Sequence, residues 1–212
     1  MRAGAVVLAG GRSERMRSPK ALLDWHGTTA VAHAVAVARE GVDGGPVCVV
    51  RAPSQELPPL DAIMIDDVVA YGGPLAALHL GLEALSGEAE VVFACGVDTP
   101  LLVPAFVRAV CAALGAGDDA AIPVIGGRSQ PLLAAYRTAL GPVVSALLDR
   151  GARSLNDISS ACAVRALSET ELLAAPALAA ADPQLRSALN ANTPKEWAAL
   201  VTGFGPSPGL VR

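Results

Sequence analysis

Lysine is almost missing from these 212 residues: Lys20 and Lys195 stand against fourteen arginines. Aromatic residues make up only 3% of the chain, so its core must be built from Ala, Val and Leu. The four cysteines, Cys48, Cys95, Cys111 and Cys162, form no C-x-x-C pair and no Cys/His spacing suited to zinc. Their apolar neighbours point to buried free thiols. His26, His33 and His79 form no cluster with an acid or a nucleophile, which removes Ser–His-type covalent catalysis from consideration. Although 52% of residues are hydrophobic and mean hydropathy is +0.46, no unbroken apolar run approaches the roughly 20 residues of a spanning helix. The first apolar run stops at Ala9 in glycines and a charged loop, not at a leader cleavage site. A net charge of −4 disfavours a general nucleic-acid or anionic-membrane surface. A cytoplasmic protein without nucleic-acid or membrane partners is expected.

What the chain does have is alternation. Short apolar segments at 3–8, 46–51, 62–65, 90–95 and 120–124 read as buried strands. Helices are expected between them: from a Thr28 or Thr29 cap to about Glu40 with Gly41 as stop, from Pro74 to about Leu85, and from Pro104 to about Gly115. Leu132–Tyr136 is a further apolar segment, followed by a helical stretch from about Leu140 to Asp149. Such a pattern implies an α/β fold with a three-layer, mostly parallel, doubly wound, Rossmann-like sheet. Residues 1–202 are expected to form one domain. An Ala-rich segment after Leu167 reads as helical with breaks at Pro176 and Pro183, Thr193 caps a last helix, and 203–212 is expected to be a disordered tail.

Ligands of doubly wound sheets sit beyond the carboxyl ends of the strands. Three polar clusters fall there: Gly10 to Lys20, Asp66-Asp67, and Asp98. Glycines after a strand let backbone approach an anion, and Arg12, Arg15, Arg17 and Lys20 can neutralise a triphosphate. The competing reading is a tight turn and a solvated basic loop. The loop lacks both the GxxxxGK[ST] of a P-loop and the GxGxxG of a dinucleotide site. Asp98, just past a strand, suits a phosphate-bound magnesium, or else serves as a helix cap or turn residue. Adjacent acids in an extended segment face opposite ways, so at most one of Asp66 and Asp67 faces the site.

The run Leu8-Ala9-Gly10-Gly11-Arg12-Ser13-Glu14-Arg15-Met16-Arg17-Ser18-Pro19-Lys20 closely resembles the pattern LAGGxSxRMGxxKALL of nucleotidyltransferases that process molybdenum cofactor. Gly73-Pro74-Leu75-Ala76 resembles that family's GPLAG, Asp98-Thr99-Pro100 its DxP, Gly127 to Leu132 with Tyr136 its GRxxPLxALY, and Asn190 to Pro194 its NxNTP. The five elements occur in the family's order over roughly residues 3–200. The resemblance implies that Leu8, Ala9, Gly10 and Gly11 hold the base side of a nucleotide. It places Arg15 and Lys20 on the phosphates, Asp67 near the nucleoside, Asp98 on Mg2+, and Asn190 and Asn192 near the metal or the acceptor. Arg17, Ala77 and Gln130 depart from the pattern, and Arg51 stands where a base-contacting Asn is expected.

The activity so implied is transfer of GMP from GTP to the terminal phosphate of molybdopterin, with Lys20, Arg15 and Asp98 as catalytic residues. Molybdoenzymes or their chaperones would be downstream partners. Two alternatives stand beside it: a related transferase using CTP or another phosphorylated acceptor, such as a sugar phosphate or phospholactate, and a catalytically silent nucleotide-binding protein.

Overall fold

The computed structural model describes residues 1–10, 16, 18–67 and 72–205. Its strands are β1 (Ala3–Leu8), β2 (Asp24–Trp25), β3 (Thr28–Thr29), β4 (Val47–Arg51), β5 (Ile63–Asp66), β6 (Val91–Gly96), β7 (Ala120–Ile125), β8 (Arg128–Ser129), β9 (Leu133–Arg137) and β10 (Val164–Leu167). The α-helices are α1 (Ala30–Gly41), α2 (Pro74–Ala84), α3 (Pro104–Ala112), α4 (Gly141–Asp149), α5 (Glu169–Leu173), α6 (Pro176–Ala181) and α7 (Pro194–Gly203).

The main sheet runs β10-β7-β9-β6-β1-β4-β5, with β8 attached to β7. Its pairs are parallel except around β9, which lies antiparallel between β6 and β7, and for the β7–β8 hairpin. Alternation along the central strands builds the three layers. Ala5 and Val7 of β1, with Val91, Phe93 and Cys95 of β6, enter the core beneath α1 and α3. Val6, Leu8, Val92 and Ala94 point the other way, into the core beneath α2 and α4. Residues buried on both faces explain why these strands read as continuous apolar runs.

Local chemistry fixes the helix ends. Thr29 caps α1 by accepting from the Ala32 N–H, and Pro74 and Pro104 occupy first-turn positions that need no donor. Gly41 is not simply a stop. It belongs to the helix, and a Cβ there would lie 2.4 Å from the Val107 Cβ on α3, so the α1–α3 crossing requires glycine. The Ala-rich stretch after Leu167 is helical with the expected breaks: α5 ends before Pro176, which begins α6, and α6 ends before Pro183. β10, which adds a parallel edge strand beside β7, and the β2–β3 hairpin are further elements beyond the expected set. α7 extends to Gly203, and residues 206–212 of the expected tail lie outside the described residues. No helix among the described residues is long and apolar enough to cross a membrane.

Candidate active site

The loop after β1 begins with its donors already committed. The N–H groups of Ala9 and Gly10 both donate to the Val50 carbonyl, at 2.8 and 3.2 Å. Farther along, Met16 and Ala21 are buried in the core and pin the loop at two points. Between them Pro19 leads into a short 3-10 turn, Lys20–Leu22, which raises the Lys20 side chain at the carboxyl edge of the sheet. Gly11 and Arg15 lie outside the described residues, as do Arg12 and Arg17.

Lys20 is where distant segments meet. Its Nζ donates to Asn192 Oδ1 at 2.8 Å and pairs with Asp98 Oδ2 at 3.4 Å. The Lys20 and Asp98 side chains are only 19% and 24% exposed, so this ion pair is partly shielded from solvent. Asp98 follows β6, and a Cβ on Gly96 would stand 2.6 Å from Asp98 Oδ1, so glycine makes room for the carboxylate. The helix-cap reading of Asp98 does not hold. α3 has Val103 at its cap position, and the Val103 N–H donates to the Ser187 hydroxyl.

The segment before α7 completes the cluster. The Ala191 N–H donates to the Asp98 carbonyl at 2.8 Å. The N–H groups of Asn192 and Thr193 donate to Glu196 Oε2 at 2.7 and 3.0 Å, while Thr193 Oγ1 accepts from the Glu196 N–H. The Asn192 N–H, with help from Thr193, holds the Glu196 carboxyl below its ordinary range. Asn190 is exposed beside these residues.

Asp66 and Asp67 separate as an extended backbone demands. Asp66 pairs with Arg51 at 2.6 Å and is exposed, whereas Asp67 is buried and its N–H donates to the Arg51 carbonyl. Arg51 also donates to the Gln55 carbonyl at 3.1 Å. The Gln55 amide bridges two strand ends, with Nε2 donating to the Ala9 carbonyl at 3.2 Å and Oε1 accepting from the Ala52 N–H at 3.0 Å. Thus Lys20 contacts both Asp98 and Asn192, while Leu8, Ala9, Gly10 and Asp67 line the same carboxyl edge through β1, β4 and β5. Gln55 and Glu196 were not singled out by sequence. Thr193 to Glu196 carries the T-x-x-E capping-box spacing, a signal that could have flagged Glu196; Gln55 has no such local mark.

The buried cysteines are inert. Burial pushes the thiols of Cys48, Cys95 and Cys111 up to about 12, so none is a thiolate near neutral pH. Among the described residues no three His, Cys, Asp or Glu side chains gather into a site able to hold a metal unaided. Asp98 offers one hard oxygen ligand in the space left by Gly96. That donor set suits a cation completed by phosphate oxygens and water, the usual manner of magnesium, rather than a protein-enclosed zinc. A shielded ammonium beside such a carboxylate can hold and align a polyphosphate.

Residues 5–168 match the family model of the MobA-like NTP transferase domain. The chain belongs to that family. It is therefore a nucleotidyltransferase of the α/β, three-layer kind. It is 30% identical over 200 residues to a probable molybdenum cofactor guanylyltransferase of Bacillus cytotoxicus, covering 93% of this chain and 95% of the relative. Among solved structures it resembles molybdopterin-guanine dinucleotide biosynthesis protein A from Archaeoglobus fulgidus, with a TM-score of 0.71 and 21% identity over 94% of this chain and 97% of that one. It also resembles Rv0371c of Mycobacterium tuberculosis in complex with manganese, with a TM-score of 0.56 and 19% identity over 79% and 87% of the two chains. These likenesses to solved structures show the fold.

Proposed function

We propose that this enzyme transfers GMP from GTP to the terminal phosphate of molybdopterin. One observation carries the reading: Lys20, Asp98 and Asn192, from three separate segments, converge beyond the ends of β1 and β6. In the reaction an acceptor phosphate oxygen forms a bond to the α-phosphorus of GTP. The bond from that phosphorus to the β-phosphate bridging oxygen breaks, and pyrophosphate leaves with the electron pair. The acceptor phosphate is already anionic, so no side chain need remove a proton from it. The protein's task is alignment and charge compensation. Lys20 binds the phosphates, and Arg15, from the same basic loop, is its proposed companion. Asp98 would hold Mg2+, whose presence offsets charge on the phosphates when bound. The manganese complex of the Mycobacterium relative supports a divalent cation in this fold. Asn190 and Asn192 flank the acceptor side, and Asp67 the nucleoside.

The committed donors at Ala9 and Gly10 favour guanine. Because both N–H groups serve Val50, the acceptor on this stretch is the Ala9 oxygen, which accepts from Gln55 Nε2 and keeps a second lone pair for a base donor. Guanine presents adjacent N1–H and N2–H donors to such an acceptor, whereas cytosine presents one amino group. A site built on hydrogen bonds discriminates against a ligand that leaves its groups unpaired. The test is titration of the full chain with GTP, CTP, ATP and UTP, with and without magnesium, together with pyrophosphate release in the presence of molybdopterin. GTP should bind about tenfold or more tighter than CTP, roughly 1.4 kcal/mol. A reversed preference would move the enzyme to the cytidylyl-transferring alternative, and binding without pyrophosphate release would support the catalytically silent one.

A further inference from the structure

The segment 190–197 grips the site at three places. The Ala191 N–H holds the Asp98 carbonyl at 2.8 Å, and Asn192 Oδ1 accepts from Lys20 Nζ at 2.8 Å. Five residues after Asn192, Trp197 Nε1 donates to the Asp24 carbonyl at 2.9 Å, and its ring meets the Trp25 ring edge to face at 5.8 Å. Asp24 and Trp25 follow directly on the turn that carries Lys20. Between these grips the Glu196 carboxylate fixes the backbone, accepting from both Asn192 and Thr193.

We infer that Glu196 is a positioning residue for Lys20, acting through Asn192. A lysine ammonium on a four-carbon stem has many rotamers and needs fixed acceptors to define its place. Asp98 alone cannot supply them, because a carboxylate that also serves a metal shares its oxygens. Asn192 Oδ1 is the second, neutral acceptor, and its place depends on where the Asn192 backbone is held. Glu196 therefore does two things at once: it closes the capping box of α7 and sets the lysine that meets the triphosphate. An ordinary capping box would do only the first. The inference rests on the reading of this cluster as a nucleotide site.

The test is calorimetric titration of the full chain with magnesium and GTP, comparing E196A, N192A, the double variant and T193A. Thr193 supplies the reciprocal half of the capping box, so T193A weakens the helix end without touching the Glu196–Asn192 contact. Supporting groups behind a binding residue are worth about tenfold or more when lost. E196A and N192A should each weaken GTP binding about tenfold, the double variant should be no weaker than N192A, and T193A should bind as the unmodified chain does. Tryptophan emission from the Trp25–Trp197 pair reports whether α7 stays docked. If it shifts in E196A, the same cycle is read with E196Q, which keeps an acceptor oxygen, and the same non-additivity is expected. Additive losses, or a T193A as weak as E196A, would overturn the positioning role. Failure of the unmodified chain to bind any triphosphate would overturn the nucleotide reading itself, a result visible before any variant is compared.

Discussion

The His33 ring nitrogen Nε2 lies 2.9 Å from the Pro100 carbonyl, tying α1 to the turn that carries Asp98. A carbonyl can only accept, so Nε2 bears the proton and donates. His33 is buried against Trp25, with ring centroids 5.7 Å apart, and is part of the packing that holds the turn in place.

That burial gives the protein a pH-dependent stability. Desolvation is the main cause lowering the His33 pKa below its ordinary value, with the Pro100 hydrogen bond partly opposing it and His26 adding to it. In the unfolded chain a histidine takes up its proton near pH 6.5. As pH falls through that value the unfolded state gains a proton that the native state refuses, so unfolding becomes easier. Stability is complete above about pH 6.5 and declines as pH falls toward the lower native pKa, at no more than about 1.4 kcal/mol per pH unit from this group. Urea unfolding between pH 7.5 and 5.5 should show the decline. His33→Gln, which keeps an N–H donor but cannot titrate, should flatten it; an unchanged slope would acquit His33.

Replacing Lys20 should separate chemistry from folding. Lys20→Ala is expected to lower turnover by about two to three orders of magnitude, the scale for losing one preorganised charge contact. Sequence placed Lys20 in a basic loop, but here it is mostly shielded and bonded to Asn192, so a stability loss of about 1 kcal/mol should accompany the variant. Steady-state pyrophosphate release and thermal melting measure the two effects. Near-normal transfer would remove Lys20 from the phosphate site.

Asp98→Asn asks whether the charge matters or only the shape. Asparagine still offers an oxygen to Lys20, and the main-chain bond from Ala191 to the Asp98 carbonyl is untouched by the change. The melting temperature should therefore stay within a few degrees. What is lost is the anionic ligand that a hard cation needs. Activity should collapse, and magnesium should cease to improve nucleotide affinity. A variant fully active at ordinary magnesium would end the metal role of Asp98.

Much of this was legible in the chain because parallel strands buried on both faces print as plain apolar runs, as in 3–8 and 90–95. Proline at a first helical turn marked α2 and α3 for the same kind of reason. The β2–β3 hairpin leaves no sequence signal because its strands are two residues long and its turn uses His26 at φ 50 before Gly27, not the Asn-Gly that marks such turns. β10 is an edge strand with two exposed residues, so it shows no apolar run. The site divides similarly. Residue type and motif order singled out Lys20, Asp98 and Asn192, but the bond between Lys20 and Asn192 is a tertiary fact with no local sign. That the donors of Ala9 and Gly10 are taken by the Val50 carbonyl of β4 is likewise a tertiary fact.

The separation of Lys20 and Asn192 also bears on how the enzyme comes into being. The two lie 172 positions apart in the chain. At a synthesis rate of roughly 5–20 residues per second, the loop bearing Lys20 leaves the ribosome about 10–30 s before its partner. β1, β4 and β6 can pair meanwhile, and Asp98 can reach Lys20, but the neutral acceptor on Asn192 comes later. Under the proposed function, competence to handle nucleotide waits on the segment that carries Asn192, so a chain made only as far as β6 would hold part of the sheet but not the completed lysine site.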